Sequence, residues 1–248
     1  MGKTVLTDVV GYEARSARLL GGGLNEACLS VLLDRCCRTI HVGKGEVLLR
    51  ADDDRAVMIR TGAVKAHATT RDGSEVITAI LGPGDTSSML VALGHAAMGT
   101  QLTALLPTEG LLMLGSELRQ LLPGHPAITS ACLRTVARQQ ASAYDERLRF
   151  AGTSVSERVA VRVLTLAERW GEADGRRVRI TLPLSQEELA AWSGASRESV
   201  AKVLHLMRAT QLIATERCSL TVLDIDRLRR RCDVLEVDAH RSPLGLTA

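Results

Sequence analysis

Aromatic side chains are almost missing from this sequence: two Trp, two Tyr and one Phe among 248 residues. With 46% of the chain apolar, the core must therefore be built from Leu, Val, Ile and Ala. Long apolar runs are missing too. No stretch approaches the roughly 20 residues that cross a bilayer, and the first residues show no signal-peptide pattern. Leu6 also stands where a myristoylation signal needs Ser or Thr. A cytoplasmic protein without membrane contact is the expectation. Net charge is small, +3 overall, with 15 basic and 13 acidic residues after position 153. Any affinity for nucleic acid must come from where Arg and Lys are placed, with marked salt dependence. The six cysteines have no metal-ligand spacing such as C-x-x-C, and vicinal Cys36–Cys37 is a poor disulfide pair. No metal site is expected. With no nucleophile–base pair or phosphate loop, no catalytic residue is assigned and the protein is expected not to be an enzyme.

What the chain does carry is concentrated in residues 185–205, SQEELAAWSGASRESVAKVLH. The spacing predicts two short helices meeting at a tight turn. Gln186–Ala191 is the first, with Ser185 as N-cap and Glu187 and Glu188 in its electropositive first turn. Ser193–Gly194–Ala195 is the turn, and Ser196 caps a second helix that opens at Arg197. Ala190 is small where the helices must touch, Gly194 falls where φ must be positive, and Val200 faces back to lock the second helix. Ser193 is a misfit, a hydroxyl where an apolar side chain usually sits. Arg197, Glu198, Ser199 and Lys202 project from the start of the second helix, the geometry of a helix-turn-helix reading a major groove. An ordinary helical hairpin with a solvated polar face is the alternative. Residues 214–222 weigh against it, since they read as strand, polar turn and strand, the wing of a winged helix.

The stretch LSQEELAAWSGASRESVAKVLHLM, followed by QLI and SLTVLD, resembles the DNA-binding domain of the Crp–Fnr regulators, and GASRESV is its most specific part. Upstream, GKGEVLL and VMIRTGAVKAHATTRDGSEVITAILGPGD resemble the cyclic-nucleotide-binding domain of the same family. The resemblance covers roughly residues 25–230. It implies an α+β chain: a β jelly roll, a long dimerisation helix and a C-terminal winged helix-turn-helix. The partners implied are double-stranded DNA, a second copy of the chain and RNA polymerase. In that setting Arg197 forks two hydrogen bonds to guanine O6 and N7, and Glu198 accepts from cytosine N4. The family's cyclic-AMP branch reads with Arg, Glu and a second Arg; Lys202 stands in the third place and lacks the fork. A half-site related to TGTGA is expected, altered where that arginine would read. Ser185, Gln186 and Ser196 are placed for backbone phosphates.

In chain order, residues 1–24 form a polar extension ending in Gly21–Gly22–Gly23, with a short helix expected at 12–18. Residues 25–125 form the sensor domain. Asn25 caps a helix to about Cys37, and short β pieces follow at Thr39–Val42, Glu46–Leu49, Ala56–Thr61, Ala63–Thr69, Glu75–Leu81 and Leu111–Leu114, punctuated by glycine turns. Ser116 is expected to cap a helix over Glu117–Leu122. Residues 126–151 form the dimerisation helix, whose seam is expected along Ile128, Cys132, Val136, Gln139, Ala143, Glu146 and Phe150. A helix merely packed on the barrel fits the same periodicity. Residues 152–232 form the DNA-binding domain, with a hinge at 152–154, a helix over Ser156–Trp170, a strand over Arg176–Leu182 and a last helix over Asp224–Arg231. A polar tail occupies 233–248.

The effector site departs from the family. Its phosphate-binding cassette offers a Gly-Glu pair for the ribose and, about ten residues later, an Arg for the cyclic phosphate. Counting from Gly84–Asp85, the corresponding places are Ser88–Met89 and Thr100–Gln101, and neither carboxylate nor arginine occurs between Asp85 and Glu109. A cyclic phosphate there forgoes its charge-assisted bond. The adenine-contacting pair on the long helix corresponds to Ala143 and Tyr144, with Tyr144 available to stack or packed against the barrel. No cofactor is required. Cyclic AMP or another nucleotide stays open, as do another effector and none. Thiol sensing by Cys132, Cys36 or Cys37 is a further option, against buried and inert thiols. The expectation is thus a sequence-specific, homodimeric regulator on a palindromic operator, with a divergent effector pocket. The alternative is a ligand- or redox-responsive regulatory or scaffold protein that uses the barrel as a sensor without cyclic AMP.

Overall fold

The computed structural model describes residues 26–96, 99–216 and 219–233. The expected extension, the helix at 12–18, the Asn25 cap, the wing tip at 217–218 and the tail beyond Asp233 lie outside them. The chain divides into two compact units, Met1–Ala143 and Tyr144–Ala248.

The first unit opens with α1 (Glu26–Cys36) and β1 (Cys37–Val42), then β2 (Val47–Leu49), β3 (Ala56–Thr61), β4 (Val64–Thr69), β5 (Glu75–Leu81) and β6 (Thr86–Ser87). A single-turn α2 (Met89–Ala92) leads to β7 (Gln101–Ala104), β8 (Thr108–Met113) and α3 (Gly115–Leu121). The strands form two antiparallel sheets, ordered β1-β8-β3-β6 and β2-β7-β4-β5. Strand alternation gives each sheet two faces. Leu48, Leu49, Val57, Ile59, Val64, Ala66, Leu102, Ala104 and Leu112 meet between the sheets. The other face of the first sheet presents Ala56, Met58, Leu111 and Met113 to Leu32, Leu118, Leu121 and Ile128 of the helices. Aliphatic side chains fill both layers, as the shortage of aromatics requires.

Several boundaries differ from expectation for identifiable reasons. Cys37 opens β1 rather than closing the helix, because its backbone pairs with Met113. Ser116 does not cap α3. Leu114 holds that position with no side-chain cap, and Gly115 is needed next, since a Cβ there would lie 2.4 Å from the Asp54 carbonyl oxygen. The two-residue β6 and the half-polar β7, absent from the expected strand set, are fixed by their partners β3 and β4. Gly62 turns β3 into β4 at φ 85°, where a Cβ would sit 2.4 Å from the Pro107 carbonyl oxygen.

α4 (Pro126–Gly152) follows, and in the second unit come α5 (Val155–Trp170), β9 (Gly171–Asp174), β10 (Arg177–Ile180), α6 (Gln186–Ser193) and α7 (Arg197–Ala209). β11 (Ile213–Glu216), β12 (Ser219–Val222) and α8 (Ile225–Asp233) complete the chain. Ser154 caps α5 through a capping box with Glu157, which starts that helix one residue before the expected Ser156. Val159, Ala160, Val163, Leu166 and Ala167 form its buried stripe. β11, β12, β10 and β9 form one antiparallel sheet, so the wing continues the strand that precedes the helix pair.

The expected seam along α4 is not a free face. Ile128 and Cys132 are buried in the helix-covered core, and Val136 packs against it. Gln139 Nε2 donates to the Thr86 carbonyl at 2.5 Å, Glu146 pairs with Arg162, and the Phe150 ring abuts Gly194. Ala143 is exposed. Polar members at 139 and 146 therefore serve contacts within the chain, which explains why they suited a coiled-coil core poorly. The exposed apolar stripe is instead Leu133, Ala137, Ala141, Tyr144, Leu148 and Ala151, at steps of three and four.

Two substitutions test the packing. Ser193 is fully buried and its Oγ has no partner among the described residues. Ser193→Ala removes an unsatisfied hydroxyl and is expected to stabilise the second unit by about 1 kcal/mol in denaturant melts. Gly62→Ala is expected to destabilise the barrel by at least ~2 kcal/mol, because left-handed backbone strain adds to a backbone clash.

Candidate nucleic-acid interface

α6 and α7 are built as their residues dictate. Ser185 Oγ accepts from the Glu188 N–H at 3.1 Å while Glu188 Oε2 accepts from the Ser185 N–H at 3.0 Å, a reciprocal capping box. Gly194 ends α6 in the left-handed region, φ 57°, where a glycine carries no strain. Ser196 Oγ accepts from the Ser199 N–H at 3.2 Å and starts α7. One face of α7 then anchors the helix: Val200, Leu204 and Met207 are all buried. The opposite face is open.

Arg197, Glu198 and Lys202 are all exposed on that open face, within the first two turns. Ser185, Gln186 and Ser196 are exposed at the two helix starts. Ser199 is half-buried, and its hydroxyl accepts from Ser196 Oγ at 3.0 Å, so it braces the cap. The Glu198 carboxyl is held below its ordinary range, first by its own backbone N–H, then by the Ser196 hydroxyl, with Arg197 and Lys202 adding positive charge. It stays ionised at neutral pH, the form that accepts from an amino group. The sequence reading omitted His205 and Arg208. Both are exposed on α7, and His205 continues the three- and four-residue steps from Glu198 and Lys202. Arg208 donates to Thr215 Oγ1 at 3.0 Å, tying α7 to β11 of the wing.

Two arginines one turn apart on α5 were also missed. Arg158 Nε donates to the Ser193 carbonyl at 2.8 Å, and Arg162 Nε to the Trp192 carbonyl at 3.2 Å. They left no local signal, because arginines four residues apart on an amphipathic helix read as part of its solvated face.

The effector cassette is distributed differently from expectation. Gly84 and Asp85 close the turn before β6, where Asp85 Oδ2 accepts from the Gly82 N–H at 2.9 Å. Ser88 adopts φ 60°, a glycine-like conformation at the place where the resemblance has glycine. Met89, in the place of the glutamate, is fully buried among Met58, Met113 and Leu118 on the outer face of the first sheet. Thr100 is half-buried ahead of β7. Gln101 alternates with the inward Leu102, so its side chain lies on the outer face, where Nε2 donates to Thr103 Oγ1 at 3.4 Å. Met89 and Gln101 therefore do not line the space between the sheets. Tyr144 is 61% exposed rather than packed.

The thiols are equally informative. Cys36, Cys37 and Cys132 share the helix-covered core, so Cys132 does not sit on an exposed seam. Burial pushes Cys37 up to about 12 and Cys132 up to about 11, and raises Cys36. All three are neutral thiols at physiological pH, the unreactive form. Among the described residues, no group of three or more His, Cys, Asp or Glu could hold a metal ion, and no helix is long and apolar enough to cross a membrane.

Comparison with known proteins agrees with this geometry. The family model for the cyclic nucleotide-binding domain matches residues 39–125, and that for the Crp-like helix-turn-helix domain matches residues 157–231. The CRP-like cAMP-activated global transcriptional regulator of Mycobacterium tuberculosis is 33% identical over 178 residues, covering 72% of this chain and 80% of that one. The fumarate and nitrate reduction regulatory protein of Salmonella typhi is 22% identical, covering 83% and 82%. FixK2 of Bradyrhizobium japonicum shares the fold at a TM-score of 0.67 and 20% identity, covering 78% of this chain and 96% of that one. From the helix pair with its wing, the two-sheet domain and a 33%-identical relative, the chain belongs to the Crp–Fnr family of DNA-binding transcription regulators.

Proposed function

We propose that this regulator binds a palindromic DNA operator as a homodimer in the cytoplasm, reading each half-site with Arg197, Glu198 and Lys202. The observation that supports this reading is the division of α7 into a buried anchor and an open face with an arginine, an ionised carboxylate and a lysine in its first two turns. Arg197 forks to a guanine, Glu198 accepts from a cytosine amino group, and Lys202 acts as a point charge without a fork. Ser185, Gln186 and Ser196 hold phosphates, which sets register without reading sequence. The exposed stripe from Leu133 to Ala151 on α4 is the surface for the second copy, since three- and four-residue apolar steps are what a helix pair buries. RNA polymerase is the expected further partner.

Control by cyclic AMP is not part of this proposal. The Mycobacterium tuberculosis relative is named as cAMP-activated. Here no arginine or carboxylate lies between Asp85 and Glu109, Met89 serves the core, and Gln101 lies on the outer face. A cyclic phosphate has no cation to meet in that segment, and removing such a charge forfeits the strongest type of hydrogen bond. The redox alternative has no support from the thiols at 36, 37 and 132, which are buried and neutral.

Selection from a randomised duplex pool at fixed moderate salt, with and without cyclic AMP, tests this function. A palindrome enriched equally under both conditions is expected. More than about a tenfold dependence on the nucleotide would overturn the effector reading. Arg197→Ala should weaken operator binding by about 1–3 kcal/mol and relax preference at one guanine, whereas loss at every position alike would argue against base reading. For the thiols, iodoacetamide at neutral pH should leave Cys36, Cys37 and Cys132 unlabelled in the native protein and label them after unfolding. Rapid native labelling of any of the three, seen by peptide mass spectrometry, would restore redox sensing.

A further inference from the structure

The last two turns of α4, the first two turns of α5 and the turn of the helix pair are joined by a side-chain ladder that spans the hinge. On one rung, the Arg158 guanidinium donates to three carbonyls: Thr153 in the hinge at 2.8 Å, Ser193 at 2.8 Å and Gly194 at 3.2 Å. Its carbon lies 4.9 Å from the centroid of the Phe150 ring, within cation–π range. The same ring closes on Gly194, where a Cβ would fall 2.4 Å from Phe150 Cε1. On the second rung, Glu146 pairs with Arg162, which donates to the Trp192 carbonyl and lies 4.4 Å over the Trp192 ring. Burial pulls the Arg162 guanidinium down to about 10, so it remains charged at neutral pH opposite Glu146.

Each rung uses one residue of α4 and one of α5, and the spacing is four residues on both helices, Glu146 with Phe150 and Arg162 with Arg158. Apart from that of Thr153, the carbonyls they meet are the orphaned ones at the C-terminus of α6, where positive charge is favoured. Those carbonyls lie two to four residues before Ser196, the residue that starts the recognition helix. We propose that Arg158, with Phe150, is a positioning residue for DNA reading: it fixes the start of α7 to the end of α4, so that the hinge at 152–154 does not leave the recognition helix free to turn. The proposal rests on the operator reading given above, and adds the residues that aim it.

The physical requirement is a planar fork. One guanidinium reaches three carbonyls from fixed directions, and an ammonium on a flexible stem does not reproduce that. Arg158→Lys keeps the charge, so non-specific attraction to phosphates is conserved. In the full-length variant, binding to the selected operator is expected to fall about tenfold, the loss of charge-assisted hydrogen bonds. Binding to an unrelated duplex at the same salt should be unchanged. Hydrogen exchange of peptides covering residues 190–199 should accelerate, with the thermal midpoint moved by only a few degrees. Phe150→Leu should produce the same pair of effects, and the double variant should lose less than the sum. Unchanged exchange over 190–199 in both single variants would overturn the proposal. Equal losses on operator and unrelated duplex would also overturn it, since a merely structural role weakens both. If the wild-type chain selects no operator, the operator reading fails by itself, and the exchange experiment still decides whether the ladder holds the turn.

Discussion

A helix that ends inside a protein leaves carbonyls without partners, and the reading end of this chain depends on how one such end is satisfied. α6 stops at Ser193 because Gly194 turns left-handed, which exposes the carbonyls of Trp192, Ser193 and Gly194. Two guanidiniums from α5 take them. With that end satisfied, Ser196 can start α7 at a defined angle, and the buried Val200, Leu204 and Met207 hold it there. Only then do Arg197, Glu198 and Lys202 share an open face. In the proposed operator complex, base reading is thus set by residues that touch no base. A helix-turn-helix presents few contacts to a groove, and an error of a few degrees at its first residue displaces every donor that follows.

The barrel shows the opposite economy. Its two faces are both committed to packing, with aliphatic side chains between the sheets and a second layer under α1, α3 and α4. Met89 and Gln101, which occupy the places of ligand-binding residues in the resemblance, have become a core residue and an outer-face amide. Ser88 keeps the positive φ that a glycine would provide. The backbone of the cassette is therefore retained at that position while its charges are gone. Retention of shape without charge indicates that the segment still matters to the fold, through β6 and its pairing with β3, whatever its relation to an effector.

Much of this was legible in the sequence, and the pattern of what was not is physical. The helix pair could be read residue by residue because capping serines, a left-handed glycine and a period of 3.6 leave local signals. The strands at 56–61 and 75–81 were read with their true ends, since Gly62 and Gly73 mark the turns beside them. β6 and β7 were not read. They are two and four residues long, and long-range pairing rather than composition fixes them. Ser116 carried a local cap signal, but crowding at Gly115 decided where α3 begins. For the site, Arg197, Glu198 and Lys202 were legible as exposed charges at a helix start. Arg158 and Arg162 were not, because an arginine on an amphipathic helix reads as solvated until the carbonyls that it meets, some thirty residues away, are in place.

The long helix carries the same lesson in sharper form. A helix has room for more than one apolar stripe, and spacing alone cannot say which one faces the chain's own core. The stripe from Ile128 to Phe150 contains Gln139 and Glu146, poor material for a coiled coil. Inside the chain each finds a partner, the Thr86 carbonyl for one and Arg162 for the other. The stripe from Leu133 to Ala151 contains no charged residue, and none of the described residues covers Leu133 or Tyr144, both more than 60% exposed. A buried stripe can include polar groups wherever the fold supplies partners at fixed positions. A stripe that meets an identical helix across a two-fold axis meets only copies of itself, so unpaired charges there would face like charges. That asymmetry is why the homodimer proposed above uses the purely apolar stripe rather than the mixed one.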